Sequence, residues 1–95
     1  MSQFLAQLIR SKLRQLTARE IEHYGRQYGF PVDTVQAQQI ADYLRNQTYD
    51  PLQSKDRQRM WKELARITDD ATAQKAQRLF QELIRSYGVE HLFDR

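Results

Sequence analysis

Four cations, Lys55, Arg59, Lys62 and Arg66, follow one another at steps of four, three and four residues. On an α-helix that spacing places them on one stripe, and a row of cations at that pitch can track a phosphate backbone. Five bases stand against two acids over 55–66, whereas the whole chain carries only +3, so the imbalance is local. Four duplex phosphates engaged by the row would give a log–log salt slope of about −3.6. The plainer account is that amphipathic helices keep Lys and Arg on their wet face.

Catalytic and metal chemistry find little to build on. His23 and His91 are the only two histidines and there is no Cys, whereas a transition-metal site normally needs three or four ligands. Glu20 stands three residues before His23, close enough for a surface hydrogen bond between them. Ser2, Ser11, Ser54 and Ser86 lack a nucleophile-elbow context, and two histidines leave a Ser/His/acid triad few ways to assemble. Asp69 and Asp70 diverge by about 100° on a helix, which suits a cap better than a carboxylate pair. Gly25, Gly29 and Gly88 form no phosphate loop, and 50–56 lacks the acidic spacing and central glycine of a calcium loop. The expectation is a non-enzyme with no cofactor and no metal.

The elements that would position these residues are helices. Phe4, Leu5, Leu8, Ile9 and Leu13 make an apolar stripe from about Gln3 to Arg14, with Lys12 laying its methylenes on the stripe's edge. Thr17 and Glu20 have the spacing of a capping box, with Leu16 and Ile21 placed as a hydrophobic staple. A second helix therefore runs from Ala18 to near Tyr28, where Gly29 and Pro31 stop it. Asp33 and Gln36 repeat the capping pattern for a third helix that turns Ala37, Ile40, Ala41 and Leu44 inward. Asp50-Pro51 marks a loop. Ser54 is placed to cap a fourth helix burying Met60, Trp61, Leu64 and Ile67. Thr68, Asp69 and Asp70 open a fifth that turns Ala73, Ala76, Leu79, Phe80, Leu83, Ile84 and Tyr87 to one side. Gly88 ends it. Residues 1–88 read as one domain, with 89–95 a tail that is docked or frayed.

The expected fold is all-α, a compact bundle of about five short amphipathic helices. With 95 residues, the chain can bury roughly 60–65% of its unfolded surface. Three glycines and two prolines are too few for an all-β domain. Apolar runs of two or three residues argue against a membrane span. Absence of Cys favours the cytoplasm, and the first sixteen residues lack the early charge and apolar block of a signal peptide. The scarcity of acids before Glu20 has a trace of transit-peptide character, but the segment runs straight into a helix start.

The string Leu8-Ile9-Arg10-Ser11-Lys12-Leu13, then Leu16-Thr17-Ala18-Arg19-Glu20, then Gln36-Ala37-Gln38-Gln39-Ile40-Ala41 resembles the YqfT-like family of small uncharacterised proteins from Bacillus and its relatives. The likeness spans about Phe4 to Phe80 and rests mainly on caps and core spacings. It implies a bacterial, cytoplasmic, helical protein and carries no functional residues with it.

Three functional classes can be weighed. A helix-turn-helix is suggested by Gly25, Gly29, Phe30 and Val35, but Gln38 stands where a buried aliphatic belongs, and Asp42 would repel DNA. The basic stripe suggests weak, sequence-neutral nucleic-acid binding. The leading expectation is a protein–protein interaction module that pairs with an unknown partner or with itself. Its candidate anchors are Tyr43 and Tyr49, which lie off the expected buried stripes, and Leu92 and Phe93 in the tail.

Overall fold

Three of the helix starts are closed by side chains that the sequence places beside them. In the computed structural model, which describes residues 2–46 and 50–93, Thr17 Oγ1 accepts from the Glu20 N–H at 3.1 Å and the Thr17 N–H donates to Glu20 Oε1 at 3.0 Å. The same reciprocal pair joins Asp33 and Gln36, at 2.7 and 3.0 Å. Asp69 Oδ1 accepts from the Thr72 N–H at 2.7 Å. Each bond satisfies a donor that the helix itself leaves free. Backbone bonds from Thr17 and Thr72 hold the Glu20 and Asp69 carboxyls below their ordinary values.

Between these starts run α1 (Ser2–Gln15), α2 (Ala18–Tyr28), α3 (Thr34–Asn46), α4 (Ser54–Ile67) and α5 (Asp70–Ser86), followed by a 3-10 turn at Glu90–Leu92. Among the described residues there is no strand, and the architecture is all-α. Gly29 takes the left-handed conformation (φ 83°) that ends α2, and Gly88 (φ 67°) does so after α5.

α3 is the centre. Its Ala37 and Ala41 are fully enclosed, and such small side chains let neighbouring helices approach closely. Around them Ile21, Ile40, Leu44, Met60 and Leu64 form the core, with Leu16, Val32, Tyr43, Trp61 and Ile67 packed at its margin. α1 and α2 pack on α3, α5 packs on α4, and α5 touches α2 only lightly. The helix corner 25–30 is tight: Phe30 N–H donates to the Gly25 carbonyl at 2.9 Å, and a Cβ on Gly25 would stand 2.8 Å from the Phe30 carbonyl oxygen.

Three expectations are corrected. Ser54 does not cap α4; Gln53 holds the cap position without a side-chain bond. The preceding loop is instead held by Asp56, which accepts from the Asp50 N–H at 2.9 Å, and by Arg57, which donates to the Leu52 carbonyl at 2.7 Å. That loop buries Pro51 and Leu52 and is tied to α1 by Arg10, which forks onto Asp50 at 3.0 and 2.8 Å. The α1 stripe is not all inside: Ala6 is buried, whereas Phe4, Leu5 and Leu8 are exposed. On α5 only Ala73 is buried.

Candidate interaction groove

The partial burial of α5 follows from its neighbours. Packed on α4 and barely reaching α2, it stands away from α1, and the two apolar stripes face an open groove of about 530 Å³. Ile9 and Leu13 of α1, Leu16 just after it, and Tyr24 and Tyr28 of α2 form one side. Ala76, Leu79 and Leu83 of α5 form the other, over a floor that includes Leu44, Met60 and Leu64. Thr68, Thr72, the tyrosine hydroxyls and Lys12 are its polar groups. Lys12 is largely exposed, and its Nζ lies 3.5 Å from Glu20 Oε2, so its stem lies along the groove while its charge stays in water. Tyr87, 76% exposed, stands at the far end of the α5 wall.

The cations of α4 lie elsewhere on the surface. Lys55, Arg59, Lys62 and Arg66 are all exposed. Arg66 is held by Glu63 through Nε at 2.7 Å and through Nη2, which raises its pKa. Among the described residues no carboxylate lies within ion-pair distance of Lys55, Arg59 or Lys62.

Comparison with known proteins places the chain. The family model described as "Protein of unknown function (DUF2624)" matches residues 1–84. The chain belongs to the DUF2624 family. It is 31% identical to the uncharacterized protein YqfT of Bacillus subtilis (strain 168) over 75 residues, which make up 79% of this chain and 89% of that protein. The resemblance read from residues 4–80 is thereby established. No solved structure matches. The matched segment of this DUF2624 protein takes in all of α1 to α4 and α5 as far as Ile84, and so most of the groove.

The aromatic anchors expected from the sequence sit differently from the groove. Tyr43 is half-buried and packs against the core, so its place off the inward stripe of α3 does not make it a surface residue. Tyr49 lies outside the described residues. Leu92 is half-buried. Phe93 packs edge-on against Phe80 at 5.7 Å, with the Arg57 guanidinium 5.3 Å from its ring centre. Phe80 in turn meets Trp61 at 5.6 Å, so the segment after Gly88 is anchored to the α4–α5 pair through a chain of rings.

His23 lies against Tyr24, centroids 5.8 Å apart, while Glu20 turns to Thr17 and Lys12 and makes no bond to it. Gln38 is exposed and donates to Asp42 at 2.9 Å, leaving the helix-turn-helix pattern without its buried aliphatic. Among the described residues no three His, Asp or Glu side chains gather into a metal-holding group, and no helix is long and apolar enough to cross a membrane. What sequence reasoning missed is the groove. Its signal was present in the full apolar stripes of α1 and α5, which exceed what a core of this size can cover.

Proposed function

We propose that this protein is a non-enzymatic, cytoplasmic interaction module whose groove between α1, α2 and α5 receives an apolar, helical surface of a protein partner. One observation carries the reading: the apolar side of α5 at Leu79, Leu83 and Ile84, continued by Tyr87 just past its end, lines an open groove and not a closed interior. A helix laid in a groove is a recurrent recognition mode in which apolar side chains at helical spacing supply the affinity. Tyrosines at such a rim bury area at small entropic cost. A photo-reactive residue at Leu83 is expected to cross-link a protein partner in native cells, whereas one at Arg59 gives no adduct. Cross-linking at Arg59 alone, or adducts that disappear with nuclease, would overturn the reading.

The exposed cations support a second, weaker reading, a sequence-neutral nucleic-acid contact through α4. Because Arg66 is engaged by Glu63, only Lys55, Arg59 and Lys62 are open to phosphates without rearrangement. Duplex binding should then show a log–log salt slope of about −2.7, shallower than the four-cation value. Affinity that survives charge reversal at Arg59 and Lys62 would remove this reading.

A further inference from the structure

Among the described residues, the groove and one further apolar surface lack a cover. The other is the ridge of α1 just beyond it, where Phe4 is 72% and Leu8 56% exposed. From Ser2 to Ile9 that helix bears no charged side chain, and the first charge, Arg10, is engaged by Asp50. Charge-free apolar surface belongs to the centre of protein interfaces. The charged residues Lys75, Arg78 and Glu82 of α5 are not among the groove's lining, and the charged residue that does line it, Lys12, holds its ammonium in water beside Glu20, so the α5 wall sets no charge against an apolar ridge entering there.

The chain exposes 6578 Å², whereas a compact monomer of 11.4 kDa exposes about 5,800 Å². The difference, about 800 Å², is of the size that each partner contributes to a standard stable interface. Along α5 the groove runs from Thr72 to Tyr87, about 22 Å, long enough for the two turns of α1 that carry Phe4 and Leu8.

Resting on the groove as a docking site, we propose that its occupant is a second copy of this chain: the Phe4–Leu8 ridge of each protomer enters the groove of the other. The contact is reciprocal, ridge to groove and groove to ridge, so a two-fold axis closes it at a dimer and leaves no open end for further growth. Both uncovered apolar surfaces are removed from water in the one event.

Sedimentation equilibrium of the full chain tests this, with Leu8→Glu on the ridge and Leu83→Lys on the groove wall. Both positions are exposed, so the monomer fold should persist, as circular dichroism will show. If Leu83→Lys loses helicity, Tyr87→Lys takes its place. The wild type is expected to sediment at twice the chain mass, and each variant alone to associate at least about tenfold more weakly. An equimolar mixture should recover tight association, because one ridge–groove contact is then wild type and the other pairs Glu with Lys. A wild-type monomer up to about 500 µM, a dimer indifferent to both substitutions, or a mixture no tighter than its components would overturn the proposal. Binding of the dye anilinonaphthalene sulfonate separates the two ideas. A monomer that takes up the dye, and loses it with Leu83→Lys, overturns self-association but leaves the groove as a docking site for another protein. A monomer that takes up none overturns both.

Discussion

Arg10 and Asp50 stand forty positions apart and share two hydrogen bonds, and neither is visible to any local pattern. Bonding to Arg10, aided by the Leu52 N–H, holds the Asp50 carboxyl below its ordinary value. The fold thus favours ionised Asp50, and its contribution is complete above the unfolded value of about 3.9 and lost as pH falls through the lower folded value. Glu20 and Asp69 shift the same way, so stability should fall together at acid pH. Asp50→Asn is expected to cost about 1–2 kcal/mol at neutral pH, since the pair is about 30% exposed and partly screened. Urea melts should show the gap between variant and wild type closing as pH falls below the ordinary carboxylate range; curves that stay parallel would remove Asp50 from the titration. At Gly25 two effects oppose. Alanine gains about 1 kcal/mol in helix propensity, but its Cβ would lie 2.8 Å from the Phe30 carbonyl oxygen, a backbone atom that cannot swing aside. Overpacking costs about 1–3 kcal/mol, so Gly25→Ala should lose about 1 kcal/mol net and lower Tm by about 4–8 °C. A melt at or above the wild-type Tm would show that the α2–α3 corner yields.

Among the helices, the same residue type has very different consequences. Leu64 of α4 lies in the core, whereas Leu83 of α5 lies 40% exposed on the groove wall. Leu64→Ala should cost about 2–4 kcal/mol, by lost burial and the cavity left behind. Leu83→Ala should cost under about 1 kcal/mol when unfolding is measured at low protein concentration. Similar losses at both positions would mean that α5 closes onto α1 in solution. This contrast marks the limit of what the chain's pattern discloses. Thr17 with Glu20, Asp33 with Gln36, and Asp69 were legible because a cap is settled within three residues. The core positions Ala37, Ile40, Ala41, Leu44, Met60 and Leu64 were legible from helical spacing. Periodicity shows that one side of α1 and α5 is apolar, not what lies opposite it, so the groove was not. Ser54 misled because Asp56 and Arg57 organise the loop before α4 through contacts that span it. Tyr43 misled because a residue off the inward stripe of α3 still packs against the margin of the core.

At the scale of the whole molecule, the excess surface has more than one source. A radius of 12.7 Å is that of an ordinary globule of this length, about 12.4 Å. The principal extents are 37 × 25 × 22 Å, so the outline is elongated, and the extra surface is shared between that outline and the open groove and ridge. If two copies cover these surfaces, unfolding consumes one dimer and releases two chains, and the transition must depend on concentration. Unfolding enthalpy is about 0.7 kcal/mol per residue near 60 °C, so two chains of 95 residues absorb about 130 kcal/mol together. The van't Hoff relation then raises Tm by about 8 °C for each hundredfold increase in concentration, whereas a folded monomer shows no rise. Leu8→Glu should flatten this dependence while keeping the low-concentration Tm near that of the wild type, because Leu8 adds little to the monomer's interior. Calorimetric scans across two decades of concentration separate the cases. A wild-type Tm that stays constant would place the ridge and groove in water at every concentration, and the uncovered stripes of α1 and α5 would then await a different chain.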